Sequence, residues 1–478
     1  MKKSQVASIV MAAVLAATVC AGCSATSSAS GASSASGSSV ASSSMGEPPS
    51  GSAPSSMGQP PDGGGSGGPG GGTSDFTYTA ATEITSADTQ DGQTYASTTA
   101  DESALIVNTA DDVTISNATV TKTGDSDGGD NCNFYGLNAG VLVMGGSSTT
   151  ISGATIETSA SGANGVFSYG GNGGQNGAAG DGTTVTINDS TITTTGNGSG
   201  GIMTTGGGVT YANDLTVTTS GGSSAPIRTD RGGGTVYVSG GSYTSNGLGS
   251  PAIYSTADVN VSEATLVSNL SEGVCIEGKN SITLTDCDLT ANNTQTNGNA
   301  TFLDSIMIYQ SMSGDADSGT SSFTMTGGTL TSKNGHVFHV TNTNAVITLE
   351  DVTLVNEDAG NILLSVCDDG WSGASNIATL NAVAQKLEGA LLVGSNSELT
   401  LNLTDGSTFE GSIGGEIANA SGDTVSTEVG TVSVTLDSTS TWTLTADSYV
   451  TSFDGDAENV ISNGYTLYVN GVALTGTK

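Results

Sequence analysis

From Asp75 onward the chain repeats one short hydrophobic pattern: apolar-x-apolar, a polar pair, then a second apolar position. It runs Val113-Thr114-Ile115 with Val120, Ile151 with Ile156, Val185-Thr186-Ile187 with Ile192, and Val236-Tyr237-Val238 with Tyr243. It continues as Val259-Asn260-Val261 with Leu266, Ile282-Thr283-Leu284 with Leu289, Phe323-Thr324-Met325 with Leu330, and Ile347-Thr348-Leu349 with Leu354. Val236, Val259 and Ile282 are spaced by 23 residues each, and longer intervals mark inserted loops. Each unit carries a further apolar-x-apolar strand after a small residue, as in Gly165-Val166-Phe167-Ser168, Gly201-Ile202-Met203-Thr204, Pro226-Ile227-Arg228-Thr229 and Gly273-Val274-Cys275-Ile276. Alternation with period two means strands, and no window has the 3.6-residue period of a helix. A unit of this length cannot bury its apolar side alone. Stacked on its neighbours it forms a parallel β-solenoid with a continuous aliphatic core. Ten to twelve coils at about 4.8 Å each predict a rod on the order of 50–60 Å long.

Alternation also assigns faces. In the strand after the small residue, Val141, Val166, Ile202, Ile227, Ile253, Val274, Ile306 and Val337 are expected to point inward. Leu142, Phe167, Met203, Arg228, Tyr254, Cys275, Met307 and Phe338 then point outward, and Met144, Tyr169, Thr205, Asp230, Thr256, Glu277 and Tyr309 form a second outward column. The small residues Gly140, Gly165, Gly201, Ala252 and Gly273 are expected to leave a groove beside these columns. The end of the chain, irregular from about residue 375, either continues and caps the stack or forms a small separate β-domain. Trp442 and the Asn463-Gly464 and Asn470-Gly471 turns are candidate capping features. Phe76 to Tyr95 is expected to cover the opposite end.

The repeat resembles that of the right-handed parallel β-helix proteins, the pectin-lyase-like superfamily in its broad sense, over about residues 104–450. The implied fold is all-β, a right-handed parallel β-helix with capped ends. The Gly-His-Gly and Arg-Ile-Lys motifs of polygalacturonases and the Trp-Ile-Asp-His motif of pectate lyases are absent, and Gly335-His336-Val337 does not replace them. The rod more loosely resembles calcium-binding β-helix carbohydrate-binding proteins of clostridia, which implies a glycan ligand and a role for calcium.

Composition narrows the setting. With 9 Lys and Arg against 45 Asp and Glu the formal net charge is -36, which excludes nucleic acid as a partner. Lys2 and Lys3, the apolar run Val6–Val19 and Cys20-Ala21-Gly22-Cys23 resemble a bacterial lipoprotein signal peptide spanning residues 1–23, with Cys23 as the lipidated residue. An ordinary cleaved signal is the alternative, and either predicts export. Residues 24–74, almost wholly Ser, Gly, Ala and Pro, read as a tether that holds the domain of residues 75–478 off a membrane. Membrane contact is expected only through the lipid anchor. Cys132, Cys275, Cys287 and Cys367 have no metal-ligand spacing and are either free thiols or paired in disulfides.

Candidate chemistry gathers on one face. Arg228 and Arg231 are the only arginines, and they flank Asp230. With Tyr169, Tyr254, Glu277 and Tyr309 they make a candidate ligand-binding surface for an extended polysaccharide, because aromatic faces stack on sugar rings and charged groups fork onto hydroxyls or carboxylates. The plainer alternative is a salt-bridge ladder between coils, which would leave a structural surface rod. A lyase or glycoside hydrolase would use Arg228, Asp230, Arg231, Glu277 and Lys279 as base, cation site or carboxylate pair. Asp125, Asp127 and Asp130, interleaved with Gly128 and Gly129, could hold calcium or be a solvated loop. His336 and His339 on one strand are expected to face opposite ways, His336 at the groove edge and His339 inside. The reading that follows is a surface carbohydrate-binding, adhesin-like module, with catalysis as the runner-up.

Overall fold

A computed structural model describes residues 76–126 and 128–478. The signal segment with Cys23, the tether and Asp127 lie outside the described residues. The fold is a right-handed parallel β-helix. Sheet A has 15 strands, sheet B 14 and sheet C 10, each made by stacking equivalent strands of successive coils. The coil number therefore exceeds the expected ten to twelve. Extra coils come from both ends. At the start, Thr79–Ile84, Asp88–Asp91 and Thr94–Ser97 contribute one strand to each sheet, so most of the segment expected to act as a cover is itself a coil.

The repeat pattern maps directly onto this geometry. Val236, Val259 and Ile282 are register partners in sheet B, and Tyr243, Leu266 and Leu289 in sheet C. Between these two strands the chain turns a tight corner on one or two left-handed residues. Asp214 takes it alone at φ 51°, and Gly240 and Gly241 share it at φ 68° and 86°, a conformation that Gly and short polar side chains tolerate best. Such corners explain the polar pair in the sequence pattern. Inside, the three sheets bury one continuous cluster that includes Val185, Ile227, Val259, Ile282 and Leu349. Where sheet C meets the turn to sheet A, inward Thr194 and Ser245 donate hydroxyls to the carbonyls of Ser199 and Ser250, each at 2.5 Å, and so satisfy buried backbone acceptors.

Sheet C stops at Thr353–Asn356. Beyond it, sheets A and B continue through longer strands such as Asn376–Val383 and Ser397–Thr404. Trp442 is not a capping residue. It is fully buried in the core, its ring 5.4 Å from that of Phe409. The antiparallel pair Leu467–Val469 and Val472–Ala473, turning at Asn470 and Gly471, forms the last hairpin.

Two expectations are overturned, one of facing and one of a groove. In His336–Thr341, Phe338 and not Val337 takes the inward register: it pairs with the core residues Ile306 and Leu364 and packs 5.6 Å from Phe323. The alternative phase would push His339 into an aliphatic interior, a costly burial of a polar ring. The small residues do not open a groove either. A Cβ on Gly165 would sit 2.6 Å from the Gly201 carbonyl oxygen, and one on Gly201 would sit 2.6 Å from that of Pro226. Close approach of successive coils, not ligand space, requires glycine there.

Candidate functional site

The two outward columns of sheet A form as the alternation predicts. Met203, Arg228, Tyr254, Cys275 and Met307 are successive register partners, and Glu277 pairs with Tyr309. His339 and Ser365, not Phe338, continue the first column. The columns are covered. Insertions at about residues 130–139, 170–182 and 310–319 fold over them, so Arg228, Asp230, Glu277 and Tyr309 are buried, with Tyr254 7% and Tyr169 8% exposed.

Under this cover the charged residues satisfy one another. Arg228 donates to Asp230 Oδ2 at 2.9 Å, to the Ser223 carbonyl at 2.9 Å and to Asn133 Oδ1 at 3.2 Å. Burial pushes the Asp230 carboxyl above its usual range; Arg228 and the Arg231 N–H oppose this and Asp315 adds to it. The Arg231 guanidinium lies 4.2 Å from the Phe134 ring centroid and donates to Asp315 Oδ1 through Nε at 3.1 Å and Nη2 at 2.6 Å. Burial works against that charge, and Asp315 outweighs it, so the guanidinium is held more firmly protonated than usual. Asn176 accepts from the Gly232 N–H and donates to the Gly314 carbonyl, which joins two of the covering insertions. The arginine pair thus pins loops from three different coils.

Glu277 is the second centre. Its Oε2 accepts from the Tyr254 hydroxyl at 2.8 Å and the Tyr309 hydroxyl at 3.1 Å, and its Oε1 accepts from Ser311. Burial raises the Glu277 carboxyl; the hydroxyls pull it back and Asp315 adds to the rise. Burial also lifts both tyrosines well above their ordinary range, with Glu277 adding to it, so they stay protonated donors. Lys279 stands apart as an exposed ion pair with Asp317 at 2.7 Å. Tyr169 belongs to a separate aromatic cluster with Tyr135, ring centroids 5.7 Å apart.

Where the cover is incomplete, a shallow hollow opens beside Tyr254. It has a cavity volume of only about 20 Å³, room for about one water, and is walled by Tyr254, Tyr309, Trp371, Pro251, Glu272 and Asn297. Tyr309 and Trp371 pack at 4.9 Å and 49°. A smaller hollow continues past Pro251 and Tyr254 to Arg228. Burial raises the Glu272 carboxyl, against a hydrogen bond from Ser271. The Trp371 indole N–H is buried without an acceptor. Trp371, Glu272 and Asn297 were missed in the sequence. One signal was available for Trp371: it is one of two tryptophans and sits between Gly370 and Ser372-Gly373, in a glycine-rich insertion.

A further buried cluster lies along the column. His336 Nδ1 and His339 Nδ1 both reach Ser365 Oγ, at 2.7 and 2.8 Å, so the two rings do not face opposite ways as expected. Phe302 stacks on His339 at 4.5 Å. His339 Nε2 is 3.4 Å from Asp369 Oδ2, an ion-pair distance without hydrogen-bond alignment. Burial, reinforced by His339, pushes His336 down to about 3. Burial would raise Asp369, but His339, Thr301 and the Gly370 N–H hold it below its usual range.

At the acidic loop, Asp125 Oδ1 accepts the Ser161 N–H at 2.8 Å, and Asp130 opens the short helix Asp130–Phe134. Among the described residues no group of three or more Asp, Glu, His or Cys is placed to hold a metal ion. Cys132 is buried, and Cys275, Cys287 and Cys367 are buried free thiols. Compared with protein-family models, curated protein sequences and solved structures, the chain matches none.

Proposed function

We propose that this is a cell-surface carbohydrate-binding, adhesin-like β-helix lipoprotein that recognises an extended polysaccharide along the outer face of sheet A. The observation that carries the reading is the aromatic hollow. Three aromatic side chains and a proline meet at a break in the loop cover, next to an acid and an amide. Aromatic faces with a few polar groups at the edge suit sugar rings. Of the candidate ligand residues, Tyr254, Tyr309 and Arg228 border the hollows, while Asp230, Arg231 and Glu277 brace them from behind. Tyr169 would meet a longer glycan only further along the column. The lipobox-like Cys20–Cys23 sequence and the Ser/Gly/Pro tether support display on the outside of a membrane.

The runner-up, a lyase or glycoside hydrolase, has one observation in its favour. Burial raises Glu277, as an acid catalyst requires. Against it, Glu277 is only 1% exposed and Arg228 is buried, with three of its five N–H donors given to Asp230, Ser223 and Asn133. The test is incubation of the full chain with a polysaccharide panel, with and without calcium, reading bound and cleaved material together. Binding without cleavage, weakened in Tyr254→Ala, is expected. Cleavage lost in Glu277→Gln would move the protein to the enzyme reading. Absence of both would leave a structural rod.

A further inference from the structure

We propose that a notch at the corner between sheets A and B binds one neutral saccharide residue through hydrogen bonds. This rests on the polysaccharide-binding reading and gives it a subsite away from the candidate ligand residues of sheet A.

The notch follows from unequal loop lengths on three successive coils. The chain passes from sheet A to sheet B through residues 310–319 after Asp304–Tyr309, through Asn342 and Thr343 alone after His336–Thr341, and through residues 367–375 after Ile362–Val366. Two long insertions therefore flank a two-residue corner, and the space between them has a cavity volume of about 290 Å³. That is close to the lower end of small-molecule sites, about 300 Å³, and gives room for one sugar ring; the hollow beside Tyr254 has about 20 Å³.

The floor of the notch fixes its walls. Asn342, 1% exposed, donates through Nδ2 to the Gln310 carbonyl at 2.6 Å, accepts the Ala374 N–H at 2.7 Å and donates its own N–H to Asn376 Oδ1 at 2.6 Å. Its backbone is left-handed at φ 54°, which Asn tolerates. One residue thus ties both insertions to the corner, so little ordering is left for a ligand to impose.

The chemistry of the notch is neutral and polar. Gln310, Ser318, Thr343, Asn344 and Ser375 line it with Asn342, and among the described residues no charged or aromatic side chain does. The acids of the two insertions are met elsewhere: Asp315 by Arg231, Asp317 by Lys279 at 2.7 Å, Asp368 by Asn376 at 2.6 Å and Asp369 by Thr301 at 2.7 Å. An anion would find no cation here, a cation no carboxylate, and a flat aromatic ligand no ring to stack on. Amides and hydroxyls both donate and accept, as sugar hydroxyls require. Gln310, 2% exposed, keeps an Oε1 without a donor in the protein, and Asn344 and Ser375 stand exposed at the rim.

The experiment uses the full chain with cellohexaose and mannohexaose, each beside its uronic counterpart, β-1,4-glucuronan or β-1,4-mannuronan hexamer. Isothermal titration should show a neutral hexamer binding, and more tightly than its uronic partner. Ala374→Trp fills the notch from its rim without removing a hydrogen-bonding group and should abolish that binding. Asn344→Ala should weaken it by about two- to tenfold. Both positions are exposed, and an unchanged urea midpoint shows that the fold is intact. Full affinity in a folded Ala374→Trp overturns the proposal. So does a uronic hexamer that binds as tightly as its neutral partner, or no binding by either neutral hexamer. Tyr254→Ala and the polysaccharide panel keep the two failures apart. Panel binding that weakens in Tyr254→Ala but not in Ala374→Trp leaves the polysaccharide reading standing without the notch. No binding anywhere in the panel removes both.

Discussion

The outer faces of sheets A and C are built on the same coils in the same register, yet they are treated in opposite ways. On sheet C the outward columns are nearly uniform. Thr119, Thr155, Thr191 and Thr216 stack in one, and Thr121, Glu157, Thr193, Thr218 and Thr244 in the other. Of the outward positions on its 10 strands only Glu157 and Asp288 carry charge, and no loop is laid over them. On sheet A the equivalent columns hold Arg228, Asp230, Tyr254, Glu277, Tyr309 and His339, and insertions bury nearly all of them. β-Branched threonine is what an exposed strand prefers, so sheet C needs no further cause. Sheet A places charge and aromatic bulk where propensity does not ask for it, then spends long insertions to cover them. Coil geometry alone therefore fixes neither face; the side chains presented to the loops do.

The largest expected effect follows from the sealed charge on sheet A. Arg228→Ala leaves Asp230 buried without its cation and should cost about 3–5 kcal/mol. Thr218→Ala on sheet C should stay within about 0.5 kcal/mol. Urea unfolding of the two variants measures both. Equal midpoints would mean that the sheet A network is not sealed.

The second test is pH, and the signs oppose. Burial raises Glu272, Glu277 and Asp304 above their usual values, and Asp230 with them. A raised carboxyl contributes stability that is fully present below its unfolded value, near 4, and lost as pH rises through the folded one. His336 acts the other way. Its unfolded form gains a proton below about 6.5 and its folded form only near 3, so stability falls as pH drops through that window, by at most about 1.4 kcal/mol per unit. Thermal melts from pH 4 to 9 should show a maximum on the acid side of neutrality. Asp304→Asn should flatten the alkaline limb and His336→Gln the acid limb, and unchanged limbs in both would exclude these groups as its source. Substitutions on sheet C should move neither limb.

A smaller effect is expected at Arg231, whose side chain is 32% exposed. Arg231→Ala removes the clasp on Asp315 and the cation over Phe134, at about 1–2 kcal/mol after allowing for solvent. Limited proteolysis should then cut first near residues 310–319. Unchanged cutting there would mean that the Asn176–Gly314 contact holds the loop alone.

The asymmetry of the two faces also explains what could be read without coordinates. Val236, Val259 and Ile282 announce their register because every coil repeats the same steric demand. The outward placing of Arg228, Tyr254 and Glu277 followed from alternation alone. Their burial did not, because the covering residues come from insertions that carry no repeat. Trp371 reaches Tyr309 from a loop more than sixty residues further along the chain, and no periodicity links the two. The slip at Phe338 has another origin. The strand offers apolar residues in both phases, and only the polarity of His339 distinguishes them. The glycine groove failed because a small residue signals close approach without saying whether a ligand or the next coil approaches.

The smallest effect is the sharpest for the comparison. Thr218 and Thr244 are partners on adjacent strands of sheet C, both half-buried on its outer face. Replacing both by Asp sets two like charges directly across the ladder, which should cost about 0.2–1 kcal/mol and shrink further as salt is added. Each single Asp should cost less. If the double variant instead lost several kcal/mol, or lost polysaccharide binding, sheet C could no longer be a merely solvated wall. A small, salt-screened loss leaves sheet C a solvated wall, in contrast to sheet A, where the carboxylates Asp230 and Glu277 are kept under cover and with a donor for each oxygen.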